Sequence, residues 1–241
     1  MSVNHGLLAD VVEFSCVDGP GNRFVAFLQG CNFDCIACHN PYTIAVRSRQ
    51  ARDVSVDDLV ERVRPVAPFL SGVTVSGGEA TRQAAFVRAF FAAVKDDAEL
   101  GGLTTFVDSN GCAPPSTWAA LDPVMDGAMI DLKAFDPVAH RLLTGHSNEP
   151  VLRSIELLAG LGKLHEVRLL LVPGFNDGPP ALEHTAKWLA GVAPDVRVKV
   201  IGFRSHGTAP PASHWDDESP EVLRWAEEIL RVEGFADVVV V

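Results

Sequence analysis

Short β-rich runs alternate with amphipathic helical runs from Arg23 to the end of the chain, and that alternation leaves few folds open. The pattern predicts strands over 23–30, 72–76, 103–108, 127–132, 166–172, 196–201 and 236–241. Helical spacing falls between them at 55–70, 82–95, 114–121, 137–143, 151–161, 181–192 and 220–232. Ser55 reads as the N-cap of the 55–70 helix, with Asp57 and Asp58 in its first turn. The 166–172 run is apolar almost throughout, as in a strand buried on both faces. Such alternation implies parallel strands joined by helical crossovers. About six units fit an incomplete (β/α)6 TIM-like barrel, an α/β fold, better than a closed eightfold one. No linker-like stretch interrupts the pattern, so one domain over 1–241 is expected.

In parallel barrels chemistry collects at the carboxyl ends of the strands. The distinctive residues of this chain fall there. Cys31, Cys35 and Cys38 follow the first strand, Gly77-Gly78-Glu79 the second and Asp108 the third. Asp131 and Lys133 follow the fourth, and Arg204 and His206 the sixth.

Three thiolates within eight residues are a soft donor set suited to an iron–sulfur cluster, copper(I) or zinc. A complete cubane ligand set has four cysteines, so three leave one iron open to a substrate or cofactor. The alternative is a structural zinc site completed by His39. Its usual form draws two ligand pairs from separated segments, whereas these groups crowd one loop, which favours the cluster. In Ser76-Gly77-Gly78-Glu79 the glycines admit close backbone approach and Glu79 offers a carboxylate to an ammonium; the plain alternative is a tight turn.

Composition closes other routes. The net charge is −11, from 20 basic and 31 acidic residues, which argues against nucleic acid as a partner. No apolar run approaches the roughly 18 residues of a membrane span. The first ten residues lack a secretory pattern, so a cytoplasmic protein is expected. Five cysteines without such a signal do not read as a disulfide framework. Cys16 and Cys112 are isolated and read as small buried apolar residues. His5, His140, His146, His165, His184 and His214 show no ligand spacing and read as surface or capping residues. Trp188 and Trp225 lie on apolar helix faces, and Asp216-Asp217-Glu218 reads as the solvated start of the last helix.

The cysteine spacing, with Gly-Gly-Glu one β-α unit later, resembles the radical S-adenosylmethionine superfamily. Within it, Asp18-Gly19-Pro20-Gly21-Asn22-Arg23, Phe27-Leu28-Gln29-Gly30-Cys31 and Cys38-His39-Asn40-Pro41 resemble the activating enzymes of glycyl radical enzymes. The likeness continues through Asp108-Ser109-Asn110-Gly111, Asp131-Leu132-Lys133, and Arg168 with Val172-Pro173-Gly174.

This resemblance implies a 4Fe–4S cluster on Cys31, Cys35 and Cys38, with S-adenosylmethionine chelating the open iron. It implies that Gly77, Gly78 and Glu79 hold the cofactor's amino group; with Ala37 in place of an aromatic residue, the adenine is expected to be walled by the backbone around Ala37, Cys38 and His39 or by an apolar residue elsewhere. Ser109, Asp131, Leu132 and Lys133 are implied to line the cofactor, with Arg168 at its carboxylate or paired to a nearby acid. Asp108 and Asp131 are implied to bind a monovalent cation. The Asp18–Gly21 turn is implied to contribute to partner docking. The implied protein substrate is a glycyl radical enzyme, the implied donor a flavodoxin or ferredoxin, the setting anaerobic and the protein a monomer. Two positions depart from the family pattern: Ala37 stands where an aromatic residue is usual, and Arg204 where a histidine is usual, with His206 two residues further on. The alternatives are a radical enzyme acting on a small molecule or nucleoside, an activase of anaerobic ribonucleotide reductase, and a non-catalytic electron carrier or zinc module.

Overall fold

The structure, a computed structural model, describes residues 3–241. The strands are β1 (His5–Ser15), β2 (Arg23–Leu28), β3 (Arg52–Ser55), β4 (Gly72–Gly77), β5 (Thr104–Ser109), β6 (Gly127–Asp131), β7 (Leu164–Leu171), β8 (Arg197–Gly202) and β9 (Val238–Val240). The helices are α1 (Val56–Val63), α2 (Ala84–Asp96), α3 (Pro115–Leu121), α4 (Pro137–Thr144), α5 (Glu149–Gly160), α6 (Pro179–Val192) and α7 (Pro220–Val232).

The chain forms two compact units. One comprises the chain through Asn32, Tyr42–Ser109 and Ala113–Met129. The other comprises Phe33–Pro41, Asn110–Cys112 and Ile130–Val241. In the first, hydrogen-bonded strands run in the order β3-β1-β2-β4-β5 and on to the start of β6; in the second, the end of β6 is followed by β7, β8 and β9. β2, β4 and β5 pair in parallel, with Arg23 opposite Gly72 and Gly72 opposite Thr104. β7, β8 and β9 are also parallel, with Glu166 opposite Arg197 and Val198 opposite Val238. Phe24, Val25, Val73, Val75, Val107, Val167, Val198 and Val200 of these strands are all buried, and since neighbours such as Phe24 and Val25 point to opposite faces, both faces of the sheet are covered.

Two strands escape the sequence pattern. β1 runs antiparallel to both β2 and β3. Its Val12 and Phe14 face solvent, so it lacks the apolar alternation that marks a half-buried strand. It exists through long-range pairing rather than local preference. The predicted 55–70 helix ends at Val63. Ser55 caps α1 as expected, in a reciprocal box with Asp58, but Pro65 and Pro68 turn residues 64–69 into a 3-10 segment.

Asp18-Gly19-Pro20-Gly21 lies at the amino end of β2, and the cysteine loop leaves its carboxyl end. Arg23, fully buried, holds this turn. It donates to the Pro20 carbonyl (3.1 Å), Thr74 Oγ1 (2.6 Å) and the Thr104 carbonyl (3.0 Å), and its guanidinium stacks 4.5 Å over Phe106. Burial lowers its pKa to about 10 despite the opposing Asp126. The turn thus has a structural anchor of its own.

Candidate functional site

In the first unit, β2 delivers Gln29, Gly30 and Cys31. Gly30 N–H donates to the Thr43 carbonyl (2.8 Å) and Cys31 N–H to the Ile44 carbonyl (2.9 Å). Gln29 is buried, and its Nε2 donates to the carbonyls of Tyr42 (2.9 Å) and Ala45 (2.6 Å). Cys31, half-buried, is therefore presented by a fastened loop.

The Gly77-Gly78-Glu79 turn packs backbone to backbone on that loop. Gly78 N–H donates to Leu28 O and Glu79 N–H to Gly30 O, both at 2.9 Å. A Cβ on Gly78 would stand 2.6 Å from the carbonyl oxygens of Gly30 and Thr43. The glycines therefore serve close packing, and what they leave to a ligand is acceptor chemistry, which an ammonium needs. Glu79 is 2% exposed, and its Oε1 accepts from Thr81 N–H (2.9 Å) and Ser109 Oγ (2.7 Å). This ties two predicted residues together and fixes the carboxylate. Asp108 accepts from Ser76 Oγ at 2.8 Å.

In the second unit, Cys35 and Cys38 belong to a turn closed by Cys38 N–H to Cys35 O (3.2 Å). Ile36 N–H donates to the Leu143 carbonyl (3.0 Å) at the end of α4. Ala37 packs into an apolar cluster with Leu143, Val172 and Phe203, flanked by Phe175 and Trp215. The rings of Trp215 lie 5.3 Å from Phe175 and 5.9 Å from Phe203. Volume absent at Ala37 is thus supplied from the segments after β7 and β8. His39 hydrogen-bonds the Arg204 carbonyl (2.8 Å); the Arg204 guanidinium and His206 are exposed.

β6 delivers Asp131 and, after it, Leu132 and Lys133. Lys133 Nζ lies 2.8 Å from Asp131 Oδ2. Burial opposes charge on Lys133, but Asp131 with Cys35 and Cys38 outweighs it and raises the amine above the usual lysine range. Burial likewise opposes charge on Asp131, and Lys133 with Arg168 outweighs it, holding the carboxyl below its ordinary value. Asp131 therefore has a cation already in Lys133. Leu132 N–H donates to the Arg168 carbonyl (2.9 Å), and Arg168 Nε donates to Glu166 (2.7 Å), both side chains buried. Arg168 is thus paired with a nearby acid, one of the two roles open to it.

Several supports were not legible. Buried Asn176 donates to the carbonyls of Lys133 (2.6 Å) and Leu170 (2.7 Å) and accepts from Val172 N–H (2.7 Å), clamping the turn after β6. Asp217, read as part of a solvated helix start, instead accepts from Ser205 N–H (2.8 Å) and Oγ (2.9 Å) and tethers the loop after β8. Cys16, read as buried, is exposed in the turn after β1.

His140, read as a surface or capping residue, is fully buried; Phe33 of the cysteine loop meets its ring edge-on at 5.8 Å and stacks on His146 at 5.0 Å. Burial lowers the His140 pKa to about 4. The unfolded imidazole takes a proton below about 6.5, while the folded one stays neutral until about 4. Stability is thus complete above about pH 6.5 and falls toward pH 4, by about 1.4 kcal/mol per pH unit. Urea unfolding should show about 2 kcal/mol of loss between pH 6.5 and 5 that His140→Leu lacks; equal pH profiles would contradict the buried neutral ring.

In donor type the three thiols suit an iron–sulfur group. The three cysteines are free of disulfides. Burial raises the Cys38 thiol, and Lys133 opposes that shift; metal ligation adds the positive charge that a thiolate requires. The buried Glu79 carboxylate and the acceptor-rich turn beside it fit an amino-group ligand.

The sequence pattern of the radical SAM superfamily matches residues 25–189. The pyruvate formate-lyase-activating enzyme of Streptococcus mutans is 30% identical over 96% of this chain and 93% of its own. That of Staphylococcus aureus is 35% identical over 71% of this chain and 70% of its own. A domain of such an enzyme from Bacteroides vulgatus, solved by crystallography, shares the fold: TM-score 0.57 at 23% identity, over 71% of this chain and 99% of that one. The α/β fold expected from the strand–helix alternation is thus the radical SAM fold, and 4Fe–4S and S-adenosylmethionine are its cofactors. The chain belongs to the radical SAM superfamily and, within it, to the family of the pyruvate formate-lyase-activating enzymes.

Proposed function

We propose that this chain activates a glycyl radical enzyme of the pyruvate formate-lyase kind. The observation that carries the reading is likeness to an activating enzyme over nearly the whole chain, with Cys31, Cys35 and Cys38 on one loop. The same likeness disfavours the small-molecule alternative. When bound, the cluster and S-adenosylmethionine supply a 5′-deoxyadenosyl radical by one-electron cleavage of a carbon–sulfur bond. This chain's residues hold and orient. The three thiolates of Cys31, Cys35 and Cys38 would hold the cluster. Glu79, fixed by Thr81 and Ser109, accepts from the methionyl ammonium. Lys133, held charged by Asp131, would meet the cofactor's polar groups, and likeness to the family assigns Leu132, Asp108 and Ser109 to the same ligand. Ala37, Cys38 and His39 border the adenine, and Phe203 behind Ala37 gives that border its bulk. Arg168, held by Glu166, stands as the candidate partner of the cofactor's carboxylate. Arg204 supplies its carbonyl to His39, and the exposed His206, two residues further on, stays a candidate for the same ligand.

The whole chain, 1–241, acts as one domain, as a monomer in an anaerobic cytoplasm, with a flavodoxin or ferredoxin as donor. Among the described residues no helix is long and apolar enough to cross a membrane. A glycine is a suitable target because, lacking a side chain, its Cα can enter a narrow slot. The test uses pyruvate formate-lyase made with Cα-deuterated glycine. Mass spectrometry should find one deuterium in the 5′-deoxyadenosine formed; 5′-deoxyadenosine without deuterium would contradict the partner assignment.

A further inference from the structure

In a chain of net charge −11, the stretch 45–52 carries Arg47, Arg49 and Arg52 and no acid. All three are exposed, as is Arg82 just before α2. Arg64, Arg153, Arg168, Arg197 and Arg231 are paired with acids. Among the described residues no ion pair engages Arg47, Arg49, Arg52 or Arg82.

This basic loop is fastened beside the first cysteine. Its start accepts from Gly30 and Cys31 through the Thr43 and Ile44 carbonyls, and from Gln29 through Ala45. A Cβ on Gly30 would lie 3.4 Å from Val46 Cγ2 and 3.9 Å from Arg82 Nε, so Arg82 and the loop flank the residue before Cys31. Between them opens a cavity of about 300 Å³ lined by His5, Gln29, Val46 and Arg82 among others. Unpaired surface arginines add little to folding, but they steer and orient an oppositely charged protein.

We propose that Arg47, Arg49, Arg52 and Arg82 form the docking surface for an acidic one-electron carrier protein, placing its redox centre beside Cys31. The proposal rests on the activating-enzyme reading, whose cofactor needs one electron per cleavage. The carrier is oxidised by one electron and the acceptor reduced by one, with no bond made or broken in the transfer.

The test uses the reconstituted holoprotein under anaerobic conditions, with a fluorescently labelled flavodoxin and an acidic ferredoxin as probes. Anisotropy titrations across a salt series give Kd. At least one probe should bind wild type, with affinity falling as salt rises. R47E/R49E/R52E should weaken that binding about tenfold or more and flatten the salt dependence, and R82E alone about threefold. R47Q/R49Q/R52Q should fall between, which guards against misfolding of the reversal variant. Dithionite-driven cleavage of S-adenosylmethionine should match wild type in every variant. Binding of neither probe, or unchanged Kd and salt slope in the triple reversal, would overturn the docking surface. Wild type that binds a carrier yet cleaves nothing with dithionite would instead sink the activating-enzyme reading.

Discussion

Cys35→Ala is expected to abolish cleavage of S-adenosylmethionine, by about 10³-fold or more, equivalent to about 4 kcal/mol or more. The residue offers one of only three thiolates in the loop, and alanine offers no donor. The fold around it does not depend on the sulfur. Ile36 is hydrogen-bonded to Leu143 and Ala37 is packed among Leu143, Val172 and Phe203, so the variant should keep its helical circular dichroism while losing iron and sulfide. Cys16→Ala, at an exposed turn, should change neither. Wild-type cleavage by Cys35→Ala would remove the basis of the cluster assignment.

Gly77→Ala should be the most damaging single-carbon addition to the site. Gly77 has φ +122°, and a Cβ there would stand 2.2 Å from both the N and O of Leu28. Those are backbone atoms of β2, paired in the sheet, and they cannot rotate aside as a side chain can. Backbone strain of about 1–3 kcal/mol adds to overpacking of about 1–3 kcal/mol. The thermal midpoint should fall by about 10 °C or more, with loss of bound iron. Gly162→Ala separates the two contributions: its φ is +66°, but nothing lies within 4 Å of the new carbon. It should cost only about 1 kcal/mol, near 3 °C. Equal losses in the two variants would show that the close approach of Gly77 to β2 carries no weight.

Most of the parallel β/α frame was legible because its strands and helices obey local periods. Where an element depends on distant pairing, local pattern fails. β1 shows Val12 and Phe14 to solvent and is a strand because β2 and β3 flank it. The end of α1 was readable in principle, since Pro65 forbids the hydrogen bond that a longer helix needs. The thiolates and Glu79 stand out because few other folds need those residue types at that spacing. Their supports do not. Asn176, buried with three backbone partners, looks in sequence like any loop asparagine. His140, alone on an amphipathic helix, carries no mark of the Phe33 ring that encloses it. The bulk around Ala37 comes from Phe203 and Trp215, more than 160 residues along the chain, a separation that no local motif spans.

The most direct measurement is electron paramagnetic resonance on the anaerobically reconstituted protein incubated with S-adenosylmethionine, a low-potential reductant and pyruvate formate-lyase. A glycyl-radical doublet is expected on the lyase, collapsing to a singlet when its glycines are Cα-deuterated. Rapid formation of 5′-deoxyadenosine with no glycyl signal on that lyase or on any other glycyl radical enzyme supplied would contradict the activating role.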